Sequence, residues 1–90
     1  MYSRSTIIQN PTGLHARPAT EFVAASKKYA SRITLCATEH PEETVNAKSI
    51  VLLLSLGLSK GTSVTLTANG GDEAAAVDAL IALIDSGFGE

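Results

Sequence analysis

Cysteine occurs once, tryptophan not at all, and tyrosine and phenylalanine twice each. The single thiol, Cys36, closes no internal disulfide, which fits a reducing compartment and leaves the fold to rest on its own core. Nothing in the chain approaches the roughly 20 apolar residues of a membrane helix. Met1-Tyr2-Ser3-Arg4-Ser5-Thr6 also lacks the apolar run that a signal peptide carries behind its basic residue. A cytoplasmic protein without membrane insertion is expected. Positive charge is short as well: seven Lys and Arg stand against nine Asp and Glu, a net charge of -2. That is the wrong balance for gripping a phosphate backbone, so direct nucleic-acid binding is not expected. The 90 residues leave room for one domain, 1–90. A chain of this size hides only about 60% of its unfolded surface, which argues against a deep catalytic cavity and puts any chemistry near the surface. Histidine is scarce too: His15 and His40 are the only imidazoles available for proton or phosphoryl exchange near neutral pH.

What is present is patterned. Tyr2 to Ile8 reads as a strand, weakened by Arg4 and Thr6 at positions that would face inward. Asn10-Pro11-Thr12-Gly13 supplies turn formers, and from Ala16 to about Ala30 the residues Ala19, Phe22, Val23, Ser26 and Ala30 recur at helical spacing. Pro18 suits the first turn of that helix, where its missing N–H costs nothing. Arg32 to Thr38 alternates, with Ile33, Leu35 and Ala37 on one face, and a polar turn, Glu39-His40-Pro41-Glu42-Glu43, leads to a short returning strand over Thr44 to Ala47. Ile50-Val51-Leu52-Leu53-Leu54 suits a buried strand or a short helix by periodicity. Ser49 before it and Gly57 after it favour about two helical turns. A helix that short leaves some of Ile50, Val51, Leu53 and Leu54 facing water, and such a patch marks a docking surface. Val64, Leu66 and Ala68 alternate with Ser63, Thr65 and Thr67 in a further strand. After the turn Asn69-Gly70-Gly71-Asp72-Glu73, the positions Val77, Leu80, Ile81 and Ile84 form an amphipathic helix ending near Gly87. The order is that of an α+β domain with a mainly antiparallel sheet and helices gathered on one face.

Chemistry concentrates in Gly13-Leu14-His15-Ala16-Arg17-Pro18-Ala19. An imidazole and a guanidinium stand at a helix start behind a flexible glycine. The first-turn amides, here those of Ala16 and Arg17, together with the positive end of the helix dipole, favour an anion such as phosphate, and Arg17 adds a permanently charged planar donor. A neutral ring nitrogen of His15 has the lone pair that a phosphoryl acceptor needs. The plainer alternative makes His15 a helix cap and Arg17 a solvated charge.

The chain resembles HPr, the histidine-containing phosphocarrier family of the phosphoenolpyruvate-dependent sugar phosphotransferase system. The likeness runs through Gly13–Ala19, Val45-Asn46-Ala47-Lys48-Ser49-Ile50, Ser55-Leu56-Gly57-Leu58 with Lys60-Gly61, and Asp72-Glu73. It implies an open-faced β-sandwich in which a four-stranded antiparallel sheet is covered on one face by three helices, in the order βαββαβα. It also implies that His15 receives a phosphoryl group on Nδ1 from phosphorylated enzyme I and passes it to IIA domains of sugar permeases, with Arg17 neutralising the phosphoryl oxygens. Such a protein is a monomeric carrier without cofactor or metal, not an enzyme with turnover of its own.

Ser49 matches the family position that an ATP-dependent HPr kinase/phosphorylase modifies in many Gram-positive bacteria, where the modified carrier engages a transcriptional co-repressor partner. An ordinary N-cap needs the same hydroxyl, so a mainly regulatory paralogue acting through Ser49, or one serving a dedicated pathway, stands as the alternative. Leu52 occupies the place where the Gram-positive pattern has glycine. Cys36 and His40, four residues apart, fall short of the three or four ligands of a metal site, and none is expected.

Overall fold

The computed structural model describes residues 1–89. Along the chain it contains β1 (Tyr2–Ile7), α1 (Ala16–Ser26), β2 (Arg32–Ala37), β3 (Val45–Asn46), α2 (Ile50–Ser55), β4 (Ser63–Asn69) and α3 (Glu73–Asp85), with single tight turns at Pro41–Glu43 and Gly87–Gly89. Alternation builds the sheet. In β4 the side chains of Val64, Leu66 and Ala68 are fully buried, and the intervening Ser63, Thr65 and Thr67 are half-buried on the opposite face. β4 is central, antiparallel to β1 from Tyr2↔Ala68 to Ile7↔Ser63 and to β2 from Arg32↔Asn69 to Ala37↔Val64. β3 adds only Thr34↔Asn46 and Leu35↔Val45 at the far edge, giving the order β1-β4-β2-β3.

On the covered face, Ile33, Leu35, Val64 and Leu66 from the sheet share one core with Phe22 of α1, Leu53 of α2, and Val77, Leu80 and Ile84 of α3. Burying each of these side chains stabilises the fold by about 1.5–3 kcal/mol relative to leaving it in water. The other face is open and carries hydroxyl pairs, among them Ser5 with Thr65 at 2.8 Å and Thr38 with both Ser63 and Thr65 at 2.9 Å. This is the open-faced sandwich of four antiparallel strands and three helices that the resemblance implied.

The weak alternation of β1 has a structural cause. Tyr2, Arg4 and Thr6 meet α3 through polar groups: the Tyr2 hydroxyl donates to Asp78 Oδ1 at 2.8 Å, Arg4 Nη1 donates to the same oxygen at 3.0 Å, and Thr6 Oγ1 donates to Asp85 Oδ1 at 2.5 Å. The Tyr2 hydroxyl, then Arg4, hold the Asp78 carboxyl below its ordinary value.

α1 ends at Ser26 and not near Ala30 as its periodicity suggested. Lys28 and Tyr29 turn their N–H groups to the carbonyls of Ala25 and Ser26, three residues back. The next two amides leave the helix altogether, donating to the Asp72 carboxylate at 2.9 Å from Ala30 and 3.0 Å from Ser31, joined by the Ser31 hydroxyl. An acceptor some 40 positions away in sequence thus holds Ala30 and Ser31 out of the helix. Asp72, read from the sequence as an acidic helix start, makes no side-chain cap of α3. Glu73 ties back the turn before the helix, its Oε1 accepting the Gly70 N–H at 3.2 Å.

Candidate functional site

His15 is the last residue before α1. Its backbone is extended, with φ -93° and ψ -165°, its carbonyl accepts the Ala19 N–H at 2.8 Å, and its ring makes no capping bond. The imidazole is exposed. The sequence of the first turn then decides what surrounds it. Pro18, at the third helical position, has no N–H, so the outward-aimed donors of this turn are the amides of Ala16 and Arg17. Thr12, His15, Ala16, Arg17 and Pro18 line one shallow surface depression of about 230 Å³. The motif residues that the sequence singled out therefore converge at one place, on the surface as the chain length required.

The loop before His15 is set by close packing. Gly13 has φ +66°, and a Cβ on it would lie 2.5 Å from Leu58 O and 2.7 Å from Ser59 Cα. Glycine is required there for both conformation and space. Leu14 donates its N–H to Leu58 O at 3.0 Å and is itself buried. Leu58, noted in the sequence only as part of a family motif, thus supports the His15 loop from across the molecule. Asn10, read there only as a turn former, is also buried.

The Arg17 side chain is 88% exposed and its Nε lies 3.5 Å from Glu21 Oε1 one turn along the helix. Exposed pairs of this kind are worth well under about 1 kcal/mol, so the guanidinium is cheaply released to an anion arriving at the depression. Of the remaining residues, Ser49 is the N-cap of α2, its Oγ accepting the Leu52 N–H at 3.4 Å. The apolar residues beyond it divide. Val51 is 72% exposed and Leu54 41%, as a docking face requires, and Leu52 joins them at 43%. Ile50 is half-buried, and with Thr20, Val23, Ala24 and Lys27 of α1 it lines a shallow groove. Leu53, expected on the docking face, is instead fully buried in the core. A six-residue helix lying on a sheet points one side inward, and Leu53 falls on that side.

Cys36 is buried on β2. His40 lies apart from it on the Pro41–Glu43 turn, where its Nδ1 is 3.2 Å from Glu42 Oε1. Ligand atoms of His40, Glu42 and Glu43 lie within 4.8 Å of one another, the one such trio among the described residues. All three are exposed, a common arrangement of surface charge on an acidic turn. No helix among the described residues is long and apolar enough to cross a membrane.

The family model described as PTS HPr component phosphorylation site matches residues 2–86. The chain is 42% identical over 84 residues to phosphocarrier protein HPr of Haemophilus influenzae, covering 93% of this chain and 95% of that one. Among solved structures it is similar to an HPr of Thermoanaerobacter tengcongensis, with 47% identity, a TM-score of 0.93, and coverage of 100% of this chain and 98% of the other. It is also similar to the catabolite repression protein Crh of Bacillus subtilis, solved as a domain-swapped dimer, at 39% identity and a TM-score of 0.74, with 97% of each chain covered.

Proposed function

The chain belongs to the HPr family of phosphocarriers of the phosphotransferase system, and from that premise we propose that His15 is its phosphoryl acceptor, charged by phosphorylated enzyme I and discharged to IIA domains of sugar permeases. The observation that carries this reading is the exposed His15 ring beside the first-turn amides of α1, in one shallow depression with Arg17. The Nδ1 lone pair attacks phosphorus, the Nδ1–P bond forms as the bond to the donor breaks, and the donor leaves with the electron pair of that bond. In the onward step the same atoms exchange in reverse, with the next acceptor attacking. Charge on the phosphoryl oxygens meets the Ala16 and Arg17 amides and the Arg17 guanidinium. Positioning and fixed charge supply most of the catalysis of such transfers, so a carrier with only a shallow depression suffices when its partners complete the site. The exposed Val51, Leu52 and Leu54, with Ile50, form the docking face for those partners, in the cytoplasm where they work.

Phosphoenolpyruvate and purified enzyme I are expected to label the protein once, in an acid-labile linkage. Labelling of His15→Ala to the wild-type extent would overturn the assignment.

A second reading concerns Ser49, favoured by its place as N-cap of α2 at the margin of the exposed apolar residues. Phosphorylation there by an HPr kinase/phosphorylase adds up to two negative charges beside the docking face. It would convert the carrier into a signal read by a co-repressor, in keeping with the catabolite-repression role in the name of the related Crh. Incubation with such a kinase and ATP tests it: absence of phosphate on Ser49 would reject this branch and leave the carrier role standing.

A further inference from the structure

We propose that Asn10 is the positioning residue of the His15 loop, locking the Gly13 hinge so that the acceptor imidazole is presented in one geometry. The inference rests on the phosphocarrier reading of His15. Asn10 is one of the few polar side chains that the fold buries, with 1% of its surface exposed. It grips Gly13 at both ends. Its backbone carbonyl accepts the Gly13 N–H at 3.1 Å, and its side-chain Nδ2 donates to the Gly13 carbonyl at 2.7 Å, with Thr12 Oγ1 at 3.3 Å as a further acceptor. The N–H and the C=O of Gly13 belong to successive peptide planes, so holding both fixes the two torsions of Gly13.

Those torsions matter because Gly13, at φ +66°, is the freest joint ahead of His15. Rotation there swings Leu14 and His15 together. The Leu14 N–H to Leu58 O bond restrains the far side of the joint, and Asn10 restrains the near side. Asn10 is backed in turn by the end of the chain. A Cβ on Gly87 would stand 3.9 Å from the Asn10 Cβ, and the turn that brings Gly87 there continues through Phe88, a buried aromatic residue at φ +54°. An aromatic side chain in the left-handed region costs backbone strain and persists only where surrounding contacts impose it. The turn after α3 thus packs beside the Cβ of Asn10, a side chain that is 1% exposed. Phosphoryl transfer depends on in-line placement, and a misplacement of about 1 Å can cost about a hundredfold in rate.

Asn10→Leu is neutral, nearly the same size, and lacks the side-chain donor. It is expected to lower the rate constant of phosphoryl transfer from phosphorylated enzyme I about tenfold while the KM for enzyme I stays within about twofold. The NMR signals of the Gly13 and Leu14 amides and of the His15 ring should shift in the same variant. Ile33→Val, which thins the core at the Tyr2–Ala68 end of the sheet, the end opposite Ile7 and the loop that follows it, is the control for stability and should keep the wild-type rate constant. If Asn10→Leu does not fold, Asn10→Ser, too short to reach the Gly13 carbonyl, carries the same expectation. A folded Asn10 variant with the wild-type rate constant and unmoved loop signals overturns the proposal, as does an equal loss of rate in Ile33→Val. Wild-type protein that enzyme I fails to label overturns the carrier reading beneath it.

Discussion

The Ser49 hydroxyl accepts the backbone N–H of Leu52 at 3.4 Å, so the candidate regulatory residue and the one that departs from the Gram-positive pattern close the first turn of α2 together. The bond is long and the helix has six residues. Ser49→Ala is therefore expected to lower stability by about 0.5 kcal/mol, the low end for a lost cap. Ser49→Asp keeps an acceptor for the Leu52 N–H while adding charge beside the docking face. Its urea midpoint should stay near the wild-type value while phosphoryl transfer from enzyme I slows; transfer at the wild-type rate would detach this position from docking.

Leu53 and Leu54 are neighbours with opposite fates. Leu53→Ala should cost about 2–5 kcal/mol, the usual range for emptying a fully buried leucine site, and would be seen in the unfolding midpoint. Leu54, 41% exposed, should tolerate Leu54→Asp within about 0.5 kcal/mol while binding of enzyme I weakens in calorimetry. Unaltered binding would remove Leu54 from the docking face.

Arg17→Ala should leave the fold intact, since the group lost is an exposed pair with Glu21 worth well under about 1 kcal/mol. Transfer to His15 is expected to slow by at least about tenfold, because charge on the phosphoryl oxygens loses a fixed counter-charge. Rapid-quench measurement of transfer from phosphorylated enzyme I checks this, and an unchanged rate removes the role.

Acid should reveal the clamp on Asp72. The Ser31 hydroxyl, then the Ala30 N–H, hold its carboxyl below the ordinary 3.8. A carboxylate with a lowered folded-state pKa contributes stability that is present above the unfolded value and lost as pH falls through the folded one. Asp78 and Glu73 are shifted the same way, Asp78 chiefly by the Tyr2 hydroxyl and Glu73 by the N-terminal ammonium. The urea midpoint should accordingly decline below about pH 4. Asp72→Asn should be less stable than wild type at neutral pH, and the difference between them should shrink in acid; a constant difference would show that the clamp does not depend on charge.

Much of the architecture was legible in local pattern. Alternation in β2 and β4 marked Ile33, Leu35, Val64, Leu66 and Ala68 as core, and the spacing of Val77, Leu80, Ile81 and Ile84 marked the inner face of α3, because period and polarity are properties of neighbours in sequence. The site motif was legible for the same reason: His15, Arg17 and Pro18 share one helical turn, and backbone chemistry alone tells which amides that turn leaves unbonded. Tertiary structure decided the rest. It kept α1 from reaching Ala30 because Asp72 captured the amides of Ala30 and Ser31, and it sent Leu53 inward because α2 lies on a sheet whose position no short apolar run encodes. It also made Asn10 a buried clamp and Leu58 the brace of the His15 loop. Apart from the bonds of Asn10 to Thr12 and Gly13, which are local, each of these depends on donors, acceptors or surfaces brought together from distant parts of the chain, where local periodicity carries no information.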